Sequence, residues 1–183
     1  KTEVNRPIGN FYGYITDGIF NTMEEVQASA QNDGLTFPGD FRFKDLNNDG
    51  RITAEDRTFL GSPHPDFVLG IPLSVSYANF DLNLFFQGQT GNKIFNVMEY
   101  YLNSAHGTGN VYANIRSNHW AGSYIASRSF FPANPNGTVP DLDGADRPRN
   151  FRASNFYVKD GSYLRLKNVQ LNYNVPQQVC KTL

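Results

Sequence analysis

The chain has 183 residues and a formal net charge of −1, from 16 basic and 17 acidic side chains. This balance gives no electrostatic reason to expect binding to nucleic acid or to an anionic membrane surface, and the length suits one ordinary domain. Fifteen Phe, ten Tyr and sixteen Gly accompany a mean hydropathy of −0.48. Such a polar chain, rich in aromatic residues and turns, is typical of sheet proteins and outer-membrane barrels rather than of helical domains. The single Cys180 excludes an internal disulfide, and no apolar run reaches the roughly 18 residues of a membrane helix.

The first part of the chain predicts short, irregular elements. Residues 10–20 are aromatic and β-prone, and their two internal glycines indicate an irregular strand with a bend or a close backbone approach. A short helix is predicted over 23–30, with Thr22 as its N-cap. A brief strand over 41–44 and one or two helical turns over 54–60 follow.

Between these last two elements, residues 45–56 have the pattern of a calcium-binding loop. Oxygen-bearing side chains occupy loop positions 1, 3, 5, 9 and 12, and a glycine at position 6 permits a sharp turn. The expected ligands of a structural Ca²⁺ are Asp45, Asn47, Asp49, the backbone carbonyl of Arg51, Thr53 and Asp56. An Asp at position 12 and a preceding strand make the loop more similar to the dockerin type than to an EF-hand. The alternative is a tight hairpin turn at 48–50 with solvated acids around it.

Residues 67–90 carry the clearest pattern in the chain. Apolar residues alternate with small or polar ones over 67–77 and again over 80–89, on either side of a tight connection at 78–79. The pattern predicts a β-hairpin with one apolar and one polar face. Each limb is about as long as the 9–11 residues of a membrane-crossing strand, but a soluble sandwich hairpin would show the same alternation. Pro72 predicts a bulge or an unpaired donor.

Residues 91–155 predict a long excursion, with a helix over 96–102 and then a stretch dominated by Gly, Asn, Ser and Pro. A loop of this length is unusual unless it is functional. Its aromatic rings are candidate contacts for sugar rings or other flat ligands, with packing of the loop as the alternative for each: Trp120, Tyr124, Phe130 and Phe131. A final strand is expected from 156 to 175. A bulge near 167–168, or a half of the strand that rises above the bilayer, would explain why its apolar alternation changes phase.

No catalytic constellation is evident, and the chain is not expected to be an enzyme. The three histidines lie in separate loop-like segments without metal-ligand spacing. Asp141 and Asp143 are more consistent with turn residues, or with a second weak cation site, than with the carboxylate pair of a glycosidase.

Several stretches together resemble the C-terminal part of the SusC/RagA family of TonB-linked outer-membrane proteins. They follow one another in the order of the family and extend over nearly the whole chain. They are Phe11–Tyr14 with Thr16–Phe20, Pro38–Gly50, Asp56–Arg57 with Leu60–Pro63, Asn79–Leu82 with Phe85–Gly88, and Val158–Val169.

The resemblance implies an all-β fold, in which antiparallel strands form part of a transmembrane β-barrel with long extracellular loops and one EF-hand/dockerin-like calcium loop. Residues 1–66 would supply a barrel strand and the loop with the calcium motif, 67–90 a transmembrane hairpin, 91–155 a long extracellular loop, and 156–183 a further barrel strand.

The function implied is import of glycans, or in some members of peptides, through the bacterial outer membrane, with a SusD-like surface lipoprotein as partner. Roughly four to six strands are too few to enclose a transporter lumen, so the chain is expected to be a piece of a larger protein. The remaining barrel, the plug and the segment that contacts the TonB complex would lie in that protein. A soluble calcium-dependent carbohydrate- or protein-binding β module is the alternative, and neither reading involves nucleic acid.

Overall fold

The computed structural model describes residues 3–103, 110–122, 133–141 and 148–176. Strands dominate these residues and the helices are short, so the fold is all-β, as the sequence predicts. The strands are β1 (Phe11–Gly13), β2 (Thr16–Ile19), β3 (Phe41–Phe43), β4 (Thr58–Gly61), β5 (Phe67–Tyr77), β6 (Phe80–Thr90), β7 (Lys93–Phe95), β8 (Val158–Asp160) and β9 (Tyr163–Tyr173). The helices are α1 (Met23–Gln27), α2 (Val97–Leu102) and α3 (Ile115–Asn118), and 3₁₀ turns cover Ala54–Asp56, Pro148–Phe151 and Asn155–Tyr157.

The chain divides into two compact units. The first unit consists of the described parts of 1–61 and 95–159, and the second consists of the described parts of 62–94 and 160–183. Strands β7 and β8 pair with each other, and the boundary between the units falls within both strands.

The first unit is built from short antiparallel pairs, β1 with β4 and β2 with β3, around an aromatic core. Both pairs have irregular registers, in agreement with the irregular strand predicted over 10–20. The core consists of Tyr14, Phe41, Phe43 and Tyr157, with Phe156 and other apolar residues packed against it. Gly13 lies directly against the backbone carbonyl of Ala153, which confirms the close backbone approach that a glycine there predicts.

Helix α1 begins as predicted and ends earlier. The backbone N–H of Glu25 donates to the Thr22 hydroxyl at 3.3 Å, and the backbone N–H of Asn21 donates to the Glu25 carboxylate at 2.8 Å. The helix stops at Gln27 because the chain tightens there, with the N–H of Ser29 donating to the carbonyl of Val26 at 3.1 Å. The helical segment predicted over 54–60 is also shorter, since only a 3₁₀ turn forms before the chain enters β4.

The second unit contains a three-stranded antiparallel sheet in the order β5-β6-β9. The hairpin β5–β6 pairs without interruption from Phe67 opposite Thr90 to Tyr77 opposite Phe80, which confirms the predicted hairpin. The pairing of β5 with β6 continues without a shift through Pro72, so the bulge predicted there does not form. Pro72 lies in β5, which has an open edge in this sheet, and a missing backbone N–H is tolerated in an edge strand. The β6–β9 register shifts between Phe85 and Phe86 and leaves Lys167 as the extra residue, which confirms the bulge predicted near 167–168.

Candidate functional site

One face of the β5-β6-β9 sheet is apolar from end to end. Cross-strand rows place three apolar side chains side by side, as in Leu73, Leu84 and Val169. The Lys167 bulge keeps this face continuous, because it returns Leu164 and Leu166 to the side occupied by Val169. Side chains of the outer strands on this face are exposed: Ile71, Leu73, Val75 and Tyr77 in β5, and Leu164, Leu166, Val169, Leu171 and Tyr173 in β9.

The opposite face of the same sheet is mainly polar. Its rows include Ser74, Asn83 and Gln170, and the Ser74 hydroxyl donates to the Asn83 carboxamide at 2.7 Å. Phe85 is an exception; its ring occupies the space over Gly70, where an added Cβ would lie 3.2 Å from the ring. Among the described strands, β5 and β9 each pair only with β6 in this sheet. The sheet therefore has two chemically different faces and two open edges.

The loop 45–56 is closed by hydrogen bonds from its own backbone. The Asp45 carboxylate accepts from the N–H of Gly50 at 2.8 Å, and the Asp49 carboxylate accepts from the N–H of Arg51 at 2.8 Å. Gly50 takes a φ of +79° and Asn48 a φ of +59°, so the sharp turn lies where the sequence predicts it. The side chains of Asn47 and Asp49 are exposed.

Asp56 closes the far end of this loop. Its side chain is 0% exposed, and its two carboxylate oxygens accept from the N–H groups of Leu46 at 2.9 Å and Thr53 at 2.7 Å. Burial acts to raise the pKa of Asp56, but these backbone donors outweigh it, so the pKa is lowered. The Thr53 hydroxyl accepts from the N–H of Glu55 at 3.2 Å and completes a capping box with Asp56.

The predicted calcium ligands therefore fall into two groups. Asp45, Asn47 and Asp49 lie together around the turn, whereas Thr53 and Asp56 hold the 3₁₀ turn that follows. Within the described residues, no group of three or more His, Cys, Asp or Glu side chains is arranged to hold a metal ion. Binding of Ca²⁺ stays a prediction.

Of the four aromatic candidates for ligand contact, only Trp120 belongs to the described residues; Tyr124, Phe130 and Phe131 lie outside them. Trp120 is 3% exposed, and its indole N–H donates to the Asn21 carboxamide at 2.8 Å. Gly39 lies so close that an added Cβ would stand 2.6 Å from the indole ring. This environment is the packing arrangement that the sequence leaves open as the alternative for each ring.

A buried polar network, which the sequence does not reveal, connects residues 31–43 to 149–157. The Asn150 carboxamide accepts from the N–H of Phe41 at 2.9 Å and donates to Asp40 at 2.9 Å. Arg149 donates to the Thr36 hydroxyl at 2.7 Å and pairs with Asp33. Partners more than 100 residues apart in sequence carry no spacing signal that could have identified them.

The remaining predicted groups do not form a reactive cluster in the described chain. Asp141 is buried and its backbone N–H donates to the carbonyl of Gly39 at 2.9 Å, while Asp143 lies outside the described residues. His119 is also buried, and its Nδ1 lies 2.7 Å from the carbonyl of Ile115. None of the described helices has both the length and the apolar character needed to cross a membrane.

Comparison with known proteins finds two curated relatives from Formosa agariphila. TonB-dependent receptor P3 is 38% identical over 172 residues, which cover 93% of this chain and 15% of the relative. TonB-dependent receptor P26 is 33% identical over 175 residues, which cover 94% of this chain and 16% of the relative. No protein-family model matches the chain. The chain thus spans only 15–16% of the length of these relatives.

Solved structures with a similar fold include those of the RagAB peptide transporter. In one of them, the alignment covers 93% of this chain and 16% of the transporter chain, with a TM-score of 0.65 and 19% sequence identity. The "closed-closed" state of the RagAB peptide importer aligns with 93% of this chain and 17% of its own, at a TM-score of 0.63 and 18% identity. The "open-open" state aligns with 98% of this chain and 18% of its own, at a TM-score of 0.58 and 17% identity.

Proposed function

We propose that this chain, a homologue of part of the TonB-dependent receptors over 93% of its length, forms a stretch of barrel wall with attached extracellular loops in an outer-membrane transporter. The family resemblance predicted from the sequence is confirmed by these relatives, and the fold matches the RagAB structures. Transport itself would belong to the whole receptor, of which this chain corresponds to about a sixth.

The two-faced sheet β5-β6-β9 is the observation that carries the proposal. Each of its strands has 11 residues, which at about 3.3 Å per residue gives roughly 36 Å. At a barrel tilt of about 40° such a strand rises roughly 28 Å, close to the apolar band of about 25 Å in outer-membrane barrels. The exposed apolar face would contact lipid, the polar face would line the lumen, and the open edges of β5 and β9 would pair with strands from the rest of the receptor.

For the whole receptor we propose import of oligosaccharides, or of peptides, together with a SusD-like surface lipoprotein and with energy from the TonB complex. The names of the relatives support the TonB dependence, and the RagAB titles describe a peptide transporter at the level of the shared fold. The sequence resemblance to the SusC/RagA family supports the lipoprotein partner and the glycan alternative.

The location can be tested on the full-length receptor expressed in its native bacterium. We expect it in the outer-membrane fraction, extractable only with detergent, and more mobile in an unboiled gel sample than in a boiled one. The alternative function, a soluble calcium-dependent carbohydrate- or protein-binding module, predicts recovery in the aqueous fraction without detergent. That recovery would refute the transporter proposal.

We propose further that the loop 45–56 binds Ca²⁺ as a structural ion of this extracellular region. Asp45, Asn47, Asp49 and the carbonyl of Arg51 would supply oxygens around the turn, which suits a hard cation. Thr53 and Asp56, also predicted as ligands, hold the adjoining 3₁₀ turn in the conformation that brings the loop ends together.

Calorimetry with CaCl₂ on the full-length receptor tests the ion. Asp49→Ala should weaken Ca²⁺ binding at least about tenfold, since it removes one charged oxygen ligand, whereas Asp17→Ala, an exposed aspartate outside the loop, should leave binding unchanged. Equal Ca²⁺ binding by both variants and the parent would overturn the calcium proposal and leave the transporter proposal intact.

A further inference from the structure

Two cations stand close together in β9, on the polar face of the β5-β6-β9 sheet. Arg165 lies opposite Gln87 of β6, in a row that belongs to the polar face. Lys167 is the extra residue of the bulge, so Lys167 and Asn168 together oppose Phe85, whose ring also lies on the polar face. The bulge therefore brings both cations, called the basic pair below, to one side of the sheet.

The basic pair has no counter-ion among the described residues. Both side chains are exposed, and neither forms an ion pair or a hydrogen bond with a described group. The Arg165 guanidinium lies over the Tyr163 ring, 5.1 Å from the ring centre. Among the described side chains of this face the one acid is Asp81, which accepts from the Asn174 carboxamide at 2.8 Å. Asp81 stands six residues from Gln87 along β6, roughly 20 Å away and well beyond the screening length of about 8 Å.

The surroundings of the basic pair suit a protein surface better than a small molecule. Small-molecule sites are usually clefts or cavities of about 300–1,000 Å³, whereas the cavities found in the described chain are lined by other side chains. Farther along the same face, the carboxamides of Asn83 and Gln170 lie in one row and offer further hydrogen-bonding groups. Charges that oppose charges of the other sign are the usual arrangement across a protein interface. The occupant should therefore present carboxylates on a polar polypeptide surface.

We infer that the basic pair holds an acidic segment of the receptor's own plug, the part of the receptor that the barrel encloses; the inference rests on the proposed transporter function. In that function the polar face of the sheet lines the lumen, and transporter barrels of about 22 strands have a plugged lumen. This chain spans only 15–16% of its curated relatives, so the plug would come from the rest of the receptor. A plug segment seated on this wall would cover both cations at once.

The two cations would contribute differently to this contact. The Arg165 guanidinium is a planar fork that can donate two parallel hydrogen bonds to one carboxylate, and so fixes the orientation of the segment. Lys167 carries a compact charge on a flexible stem and adds attraction without the same geometric demand. Because both contacts are electrostatic, the plug should be held less firmly at high salt than at low salt. Reversing both charges should replace attraction by repulsion.

The test compares double variants of the full-length receptor in planar lipid bilayers, where a seated plug keeps the channel closed to KCl and urea is added to unseat it. Arg165→Glu with Lys167→Glu reverses both charges, whereas Arg165→Lys with Lys167→Arg keeps both and is the matched control. We expect the reversed variant to be open about ten times as often as the parent at the same urea concentration. The control should open like the parent, and the parent should open more readily as KCl is raised. Unchanged gel mobility of unboiled samples would show that the barrel of each variant is folded.

The inference is overturned if the reversed variant opens like the parent, or if the parent channel stands open without urea. It is also overturned if the reversed variant opens like the parent but loses binding of a galacturonate hexamer, since the basic pair would then serve an anionic solute. Should the reversed barrel fail to fold, Arg165→Gln with Lys167→Gln takes its place, with the same outcomes and a smaller expected change. A receptor that reaches the outer membrane but gives any of these negative results refutes the plug contact alone, whereas recovery of the receptor in the aqueous fraction refutes the transporter.

Discussion

The apolar face of the β5-β6-β9 sheet can be tested with two neighbouring residues that differ only in the face they occupy. Leu73 lies on the apolar face opposite Leu84, and Ser74 lies on the polar face opposite Asn83. Both stand near the middle of β5, so both would lie near the bilayer midplane if the strand crosses a membrane. We therefore compare Leu73→Arg with Ser74→Arg in the full-length receptor.

The expected difference follows from what surrounds each side chain. Leu73 is 48% exposed in this sheet, so an arginine there would reach away from the protein and into lipid. An arginine on the lipid-facing side of a barrel costs about 2–4 kcal/mol at the midplane, which corresponds to roughly a 30- to 900-fold change in the folding equilibrium. An arginine at position 74 would enter a row of amide and hydroxyl groups, where we expect a cost below about 1 kcal/mol.

Folding of the two variants into lipid vesicles, titrated with urea and followed by the mobility of unboiled samples on a gel, measures this difference. Leu73→Arg should unfold at distinctly lower urea than the parent, and Ser74→Arg should remain close to it. If the two substitutions cost the same, or if Ser74→Arg is the more damaging, then the assignment of the apolar face to lipid is wrong.

Two further predictions concern the first unit. The carboxylate of Asp56 has a lowered pKa in the folded protein, so its stabilising effect should be complete above the unfolded value of about 4 and be lost as the pH falls through the lower folded value. Hydrogen-exchange protection of peptides from 45–56 should decline in that acidic range. The Asp56→Asn variant should already show low protection at pH 7. If neither the lower pH nor the substitution changes the protection, Asp56 does not hold the loop as described. Gly39→Ala would push a methyl group against the Trp120 ring and would also place an alanine at the φ of +95° that Gly39 adopts. Together these effects should destabilise the first unit by about 2–4 kcal/mol in thermal unfolding. Gly34→Ala, at a φ of +74° with open space around it, isolates the backbone strain and should cost only about 1 kcal/mol.

The sheet could be predicted from the sequence because its information is local. Alternation with a period of two fixes which side of a strand each residue occupies, and the change of phase near Lys167 predicts the bulge that the register shows. The limits of the final strand were less accurate. The chain forms a 3₁₀ turn at Asn155–Tyr157 and the short strand β8 before β9 begins at Tyr163, and the run of β-prone residues conceals this change.

The calcium loop and the buried polar network around Asn150 differ in how far the sequence reveals them. The turn at Gly50 could be placed from spacing alone, because its hydrogen bonds join residues no more than five positions apart. The network could not be predicted, since Asn150 reaches Asp40, and Arg149 reaches Thr36, only through the fold. The buried role of Asp56 was equally hidden, because an acid at the end of a calcium motif has the same sequence signature whether it binds a metal or backbone N–H groups.

The first unit is held by its aromatic core and its buried polar network rather than by an extended sheet. The Tyr157 hydroxyl donates to the carbonyl of Asn150 at 2.9 Å, and burial raises the pKa of this phenol, so the donor stays protonated at neutral pH. The neighbouring Phe156 ring packs against the core, with its centre 4.8 Å from the centre of the Phe41 ring. The core rings thus pack against one another and against this hydrogen bond, so the loss of one ring would leave a cavity that its neighbours fill only in part. Removing a core ring by Phe41→Ala should therefore destabilise the first unit by about 3–5 kcal/mol in thermal unfolding, and an unchanged unfolding temperature would contradict this role of the core.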